Sequence, residues 1–492
     1  RFDSPKKKKK LLFCLRNIAV NNASYCCYCF ADSRRLQDDL TAGSSSLRVL
    51  RKEQQPMPPK QKRKLNIDLN KDPNEDDESG NVDLISGLPD DVLILMLSLV
   101  DIKTAGRSSL VSKRWRHLWT NLMDLDFDNP ETSAIANAMI ISFTCASYGQ
   151  PEMDNYVKCV NQVINASGAP YLKNFSIHFP LGIFYAAHIE NWVRFSLSKK
   201  VRNLEINLMT AYSRILFSNI ITTNPAMVVN TTLESLLLSY ITIDVPLLEW
   251  VLSNCVNLQR LSLHCCKTRS HTPPKHPKLV VTSLKLKHLE IFSCFRPLNI
   301  QALHIFAPNL TSFVFFETII DVEYHNVTSL VDASFGRIHC RHIFHNLDIL
   351  SGFSSQLEKL SIEWSMVRSA SGGFPTFVNV KQLELPLYRS LFEGTNSAPK
   401  DAQVNAIRSH QHLKTIEYVG YGGCASASKL ALFLTWHASM VSKFIFDPHR
   451  PLYVGKRTSV YSSVDKDKLK IARSSAELLA KQIRRGIDVV IL

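Results

Sequence analysis

LLEWVLSNCVNLQRLSLHCC, residues 247–266, changes its hydrophobic period halfway along. Leu248, Val251, Leu252 and Cys255 recur at three- and four-residue steps, the stripe of an amphipathic helix. Leu258, Leu261 and Leu263 close on the two-residue alternation of a strand. The segment predicts one helix followed by one strand, a pair too small to bury its own apolar side.

The strand half recurs along the chain. From Tyr171 onward, a pattern of apolar-x-x-apolar-x-apolar starts at Leu172, Val201, Leu233, Leu258, Leu286, Leu310, Leu330, Leu357, Val380, Leu413 and Val441, at intervals of 20 to 33 residues. The Leu330 unit is the weakest, because Ala333 holds its second apolar site. Periods of this size are those of leucine-rich repeats, whose ninth position takes Asn or Cys, and Cys266 and Cys294 fall there. With one helix and one strand per unit, stacking predicts an α/β solenoid: a curved parallel sheet with outer helices.

Before the repeats, residues 83–119 read DLISGLPDDVLILMLSLVDIKTAGRSSLVSKRWRHLW. Val92 to Leu97, then Leu99 and Val100, are apolar on every side of a helix that starts at the Leu88-Pro89-Asp90-Asp91 corner, with its acids at the positive helix end. The run is about half the roughly 20 residues needed to cross a bilayer, so its cover must be protein and no membrane is expected as a partner. A second helix is predicted from Thr104, with Val111, Trp115 and Leu118 on one face and Lys113, Arg114 and Arg116 on the other.

This segment resembles the F-box of plant F-box proteins, with Gly106 where Ala is more usual. The resemblance implies a short all-helical F-box that docks the Skp-type linker of a cullin (SCF) ubiquitin ligase through Leu88, Pro89, Val92, Leu93, Leu97, Val111 and Trp115. It also implies that the repeats hold an unknown protein substrate. Periodicity alone fits the core of a larger helical domain as well.

Residues 412–451, HLKTIEYVGYGGCASASKLALFLTWHASMVSKFIFDPHRP, resemble the FBD module that follows F-box and leucine-rich repeats in plant proteins. Leu413, Lys414, Ile416, Gly420, Leu430, Leu434, Ala438 and Lys443-Phe444 before Pro448 carry that likeness, and Ser439-Met440-Val441 departs from it. Physically the stretch reads as strand, glycine turn, helix, strand. Gly420, Gly422 and Gly423 are not followed by Lys-Ser/Thr and predict a tight turn, not a phosphate loop. A helix over 472–483 and a strand over 488–492 are expected to cap the solenoid. The expected domains are a basic tail and acidic linker (1–80), the F-box (81–122), the repeats (123–400) and the FBD-like module with its cap (401–492), with an amphipathic segment near 135–143 joining F-box to repeats.

The net charge of +15 over 492 residues suggests nucleic acid until it is located. Residues 1–64 carry 16 Lys/Arg and 5 Asp/Glu, so +11 lies in this tail and the remaining 428 residues carry +4. The body is not a nucleic-acid surface, and nucleic acid is not an expected partner. In the tail, PPKQKRK with Lys60, Lys62, Arg63 and Lys64 resembles a nuclear import signal and reads equally as a solvated linker. Localisation in nucleus and/or cytoplasm is expected. Lys6 to Lys10 followed by LLFCLRNIAV mimics a secretory signal, but Arg16, Asn17, Asn21 and Asn22 interrupt it and none is expected. The start on Arg1 leads to the expectation of a fragment or an uncertain gene model.

Twelve cysteines without a secretory signal argue for thiols in a reducing compartment. His264, Cys265, Cys266, His271 and His276 have zinc-ligand types but no paired spacing, as do His339, Cys340, His342 and His345, while Cys26 and Cys29 lack a second pair. No metal site and no cofactor are expected. There is no Gly-x-Ser-x-Gly, His-Glu-x-x-His or Walker-type loop, so a non-catalytic subunit of a ubiquitin ligase is expected, with a repeat scaffold outside any ligase as the alternative. Because the charge is confined to the tail, deleting residues 1–64 should remove any salt-sensitive nucleic-acid affinity of the chain, measured by DNA or RNA binding across a salt series. Affinity that survives the deletion would place the binding surface in the body.

Overall fold

The structure, a computed structural model, describes residues 85, 87–110, 112–128, 150–208, 232–268, 278–293, 298–336, 339–340, 342–343, 353–363, 379–387, 411–423, 425–449, 451–452, 460–461 and 466–492. Val111, the tail with Lys60, Lys62, Arg63 and Lys64, the Cys26 and Cys29 pair, Cys294 and the 135–143 segment lie outside them. Two compact units emerge: residues 1–100 with 104–118, and residues 101–103 with 119–492.

In the first unit, helix α1 (Asp90–Leu97) starts after extended Pro89, with Asp90 and Asp91 in its first turn. Proline fits there because its missing N–H has no intrahelical acceptor, and the acids meet the positive end of the helix dipole. The second helix differs from expectation. Helix α2 spans Ile102–Arg107 and gives way to 3-10 turns at Ser108–Leu110 and Trp115–His117. The Ser108 hydroxyl donates to the Ala105 carbonyl at 2.6 Å. Such side-chain competition loosens a helix, and Gly106 just before it weakens it further.

The second unit is built on a 13-stranded parallel sheet. In chain order its strands are β1 (Asp124–Asp126), β2 (Asn174–His178), β3 (Asn203–Asn207), β4 (Ser235–Ser239), β6 (Arg260–His264), β9 (His288–Phe292), β11 (Ser312–Phe316), β13 (Asp332–Gly336), β14 (Lys359–Ile362), β15 (Gln382–Pro386), β16 (Thr415–Val419), β17 (Lys443–Asp447) and β20 (Asp488–Ile491). Spatial order follows chain order throughout, as in a solenoid. Each expected repeat start lies two residues before a strand, from Leu172 before β2 to Val441 before β17, and none is more than 3% exposed. The second and third apolar sites occupy strand positions two and four, so both point to the same buried side. Even Ala333 in the weak unit is fully buried.

The sequence reading missed β1. Leu122, Leu125 and Phe127 repeat the same pattern and are buried, and β1 pairs in register with β2, so the sheet begins at the end of the segment assigned to the F-box. The FBD-like residues continue the repeats, with β16, β17 and β20 extending the sheet.

The connections among the described residues include two kinds. Helices α3 (Gln150–Ala166), α4 (Ala186–Ser198), α5 (Val245–Asn254), α6 (Ala425–His437) and α7 (Lys466–Ala480) fill five of them. In the middle of the sheet the expected outer helix is replaced by a strand. β8 (Lys278–Thr282), β10 (Ala302–Phe306) and β12 (Asp321–His325) form a second parallel sheet of three strands, ordered β12-β10-β8. The Leu286 and Leu310 units, 24 and 20 residues long, are too short for an added helix of ordinary length. Their connecting segments, ALHIF and DVEYH, instead alternate with a period of two. Short pairs β5 (Thr242–Ile243) with β7 (Lys267–Thr268) and β18 (Pro451–Leu452) with β19 (Val460–Tyr461) complete the strands.

At the β8 edge the Glu249 carboxylate of α5 accepts the Val280 N–H at 2.7 Å, satisfying a donor that an edge strand would leave open. Cys266 is 2% exposed and donates its thiol to the Leu238 carbonyl of the preceding repeat at 3.3 Å, the structural role expected for the ninth position. Gly336, at the end of β13, lies under the Phe316 ring, and an added Cβ would enter that ring. Gly336→Ala is therefore expected to cost about 1–3 kcal/mol, read as a lower Tm. Adding Phe316→Leu should recover part of that loss; two independent, additive losses would show that the ring is not the obstacle.

Candidate functional site: a docking face and a polar sheet face

In the first unit the helix α1 divides its apolar residues between two faces. Leu93, Met96 and Leu97 are buried, with Trp115 and Leu118. Leu95 is 65% exposed, Val92 is half-buried, and Leu99 in the turn after the helix is 46% exposed. Helical spacing places Val92 and Leu95 about a turn apart on one side. Leu110, after α2, is also exposed.

The residues expected to dock a partner therefore fall into two groups. Leu88 and Val92 are half-buried and Pro89 is exposed, so all three present surface, whereas Leu93, Leu97 and Trp115 face inward and hold the unit together. Sequence reasoning passed over Leu95, Leu99 and Leu110 because a run that is apolar on every side does not say which side stays open.

Arg114 had been placed on a solvated face. Its guanidinium instead donates to the Leu88 carbonyl at 2.5 Å and to the Asp90 carboxylate at 2.8 Å. The pair is partly exposed and adds little stability, up to about 1 kcal/mol. Its effect is positional, since it ties the Leu-Pro-Asp-Asp corner to the segment before Trp115.

On the large sheet, strand positions one, three and five point away from the buried side. They carry Ser176, Glu205, Ser262, Glu290, Glu384 and Glu417. Two buried histidines sit among these carboxylates. His178 of β2 lies 2.9 Å from Glu205 of β3 and 3.7 Å from Asp128, and His264 of β6 lies 3.2 Å from Glu290 of β9. Burial acts to lower the His178 pKa, but the Glu205 hydrogen bond and the surrounding carboxylates leave it above its ordinary value. Burial, then the neighbouring Glu384 charge, raises the Glu417 carboxyl. Ser176, Ser262 and Glu290 are themselves buried, while Glu205, Glu384 and Glu417 stay part-exposed and suit ion pairing with a protein surface.

The zinc-like groupings in the sequence are described only in part. Cys265 is disulfide-bonded, an exception to the expectation of thiols, whereas Cys159, Cys255, Cys266 and Cys340 are thiols. His271, His276 and His345 lie outside the described residues. Cys340 is fully buried and donates to the Phe335 carbonyl at 2.8 Å. Gly420 and Gly423 have φ of 79° and 82°, the tight turn expected between β16 and α6. No helix among the described residues is long and apolar enough to cross a membrane.

Comparison with known proteins agrees with this layout. Residues 85–126 match the F-box domain family, and residues 213–396 match the family described as At1g61320/AtMIF1, LRR domain. The chain thus carries an F-box segment followed by leucine-rich repeats. It is similar to F-box protein At5g03100 of Arabidopsis thaliana, 26% identical over 306 residues that cover 59% of this chain and 85% of that protein. It is 29% identical to F-box/FBD/LRR-repeat protein At4g26340 of the same plant, over 34% of each chain. It is 38% identical to probable FBD-associated F-box protein At5g38565, also from Arabidopsis thaliana, over 18% of this chain and 25% of that one. The matches to these last two thus span about a third and a quarter of their length.

His339, fully buried against the Phe315 ring at 4.7 Å, supplies a pH test of the repeat core. Burial, aided by the His342 charge, lowers its pKa from 6.5 to about 4. The unfolded chain takes up this proton first as pH falls, so the group's stabilisation is complete above pH 6.5 and is lost towards pH 4, on the order of 3 kcal/mol. His178, with a raised pKa, acts in the opposite sense and loses its contribution as pH rises through that value. His339→Leu should flatten the fall of Tm between pH 6.5 and 4 in circular dichroism melts. An unchanged slope would assign the acid loss to other groups.

Proposed function

We propose that this chain is the substrate-recognition adaptor of a cullin-type (SCF) ubiquitin ligase, with its F-box docking the Skp-type linker and its repeats holding a protein target. The observation that carries this reading is the open apolar side of α1 in a segment that matches the F-box family. Val92 and Leu95, flanked by Leu88, Pro89 and Leu99, present surface while Leu93, Leu97 and Trp115 form the support beneath. Burying one such side chain against a partner contributes about 1.5–3 kcal/mol, so a few of them suffice for a stable contact.

The polar sheet face of the repeats supplies the second contact. An adaptor that joins a target to a ligase accelerates ubiquitin transfer by raising effective concentration and by orienting the target's lysines, with no bond made or broken on its own residues. The proposed partners are the Skp-type linker, through it a cullin, and a protein substrate, with work in nucleus and/or cytoplasm.

The test is a pull-down of purified full chain with a plant Skp-type linker. Wild type is expected to bind, Leu95→Asp to weaken binding at least about tenfold, equal to about 1.4 kcal/mol, with Tm unchanged, and Leu88→Ala with Pro89→Ala to abolish it. Leu93→Ala should lower Tm and binding together, because it removes support beneath the face. Failure of the folded wild-type chain to bind would leave the alternative of a repeat scaffold outside any ligase.

A further inference from the structure

The second sheet carries a feature that neither docking role uses. His304 of β10 and Glu323 of β12 are directly paired across the two strands. His325 lies two residues beyond Glu323, on the same face of the same strand. The Glu323 carboxylate oxygen Oε2 is 2.9 Å from His304 Nδ1 and 2.9 Å from His325 Nε2. One donor atom from each residue lies within 4.8 Å of the other two, and among the described residues this is the only such group of three His, Cys, Asp or Glu side chains.

We propose that His304, Glu323 and His325 form a binding site for one divalent transition-metal ion of the zinc class. Two imidazoles and a carboxylate are a borderline donor set that suits zinc or copper better than magnesium or calcium. Tetrahedral zinc, with bonds of about 2.0–2.1 Å, places its ligand atoms a little over 3 Å apart, so the present spacing needs only a small opening. The three side chains stand on paired strands, which fixes their spacing without help from a loop. The Phe306 ring stacks on His325 at 4.4 Å and 9°, holding that imidazole in place. The rest of this face is uncrowded: Val280 pairs with His304 from β8, Thr282 pairs with Phe306, and exposed Asp321 begins β12. Side-chain exposures of 44% for Glu323 and 41% for His325 leave the fourth coordination position open to water or to a donor from another protein.

The other histidine–carboxylate groupings among the described residues, at His178, His264 and His449 with Asp447, each offer a single imidazole. His178 and His264 are each a single imidazole beside carboxylates, with side chains 5% and 7% exposed, and neither leaves room for an ion to enter. The site at β10 and β12 also has a physical consequence. β12 is an edge strand of the three-stranded sheet, and an ion shared with β10 would fasten that edge in the folded state only.

The full chain titrated with zinc against a chromogenic chelator tests the proposal, with wild type compared to His304→Ala, Glu323→Gln and the double variant His304→Ala/His325→Ala. Because 12 cysteines and 16 histidines offer background sites, the readout is the difference between chains. Wild type should bind one equivalent more than the double variant, each single variant should weaken that event at least about tenfold, and zinc should raise the Tm of wild type more than that of any variant. Equal stoichiometry and an equal zinc-induced rise in Tm in wild type and the double variant would overturn it. Circular dichroism and metal-free Tm check that each variant folds. Glu323→Gln, which removes the charge while keeping the side chain's size, decides the outcome if an alanine variant does not.

Discussion

From Arg202 onward each repeat lends the next a single carbonyl, and the second unit depends on that loan. The oxygen of the residue just before a strand accepts two N–H groups from the following repeat: Gln259 O takes those of Lys287 and His288, Lys287 O those of Thr311 and Ser312, and Thr311 O those of Val331 and Asp332. The same fork runs from Arg202 to Lys414. Beside it, one residue earlier, sits the fully or nearly fully buried apolar side chain that opens each unit. The fork sets the height at which a strand begins and the apolar residue sets which side faces inward. Together they leave a strand no freedom to slip by one residue, a shift that would turn its apolar set outward.

Much of this was legible in the sequence, because the pattern that starts each unit is short, local and tied to strand geometry. All eleven expected starts lie two residues before a strand of the large sheet, including the weak one at Leu330. What lies between them was harder to read. β8, β10 and β12 were hidden by the expectation of one helix per unit, although the alternation in ALHIF and the 20-residue interval after Leu310 already argued against it. β1 was missed because Leu122, Leu125 and Phe127 follow so closely on Trp119 that they read as the tail of the helical segment.

The docking segment was legible in kind but not in facing. A helix as apolar as Asp90–Leu97 has no sequence-visible inside, so the expected partner residues mixed Leu88, Pro89 and Val92, which present surface, with Leu93, Leu97 and Trp115, which do not. Arg114 could not be placed from periodicity, since its partners Leu88 and Asp90 stand more than twenty positions away and in a different element. Buried polar pairs such as His264 with Glu290 are equally invisible to a linear reading. They are set by which repeats become neighbours, and the sheet order decides that.

The carbonyl fork also bears on how such a chain changes over generations. Because each repeat is anchored at its strand entrance, the stretch that leads back to the next entrance can lengthen, shorten or trade a helix for a strand while the ladder stays in register. The spacing of 20 to 33 residues within this one chain displays that tolerance. Mutational drift can therefore accumulate in the returning segments and in the outward strand positions, remaking what the surface recognises without passing through an unfolded ancestor.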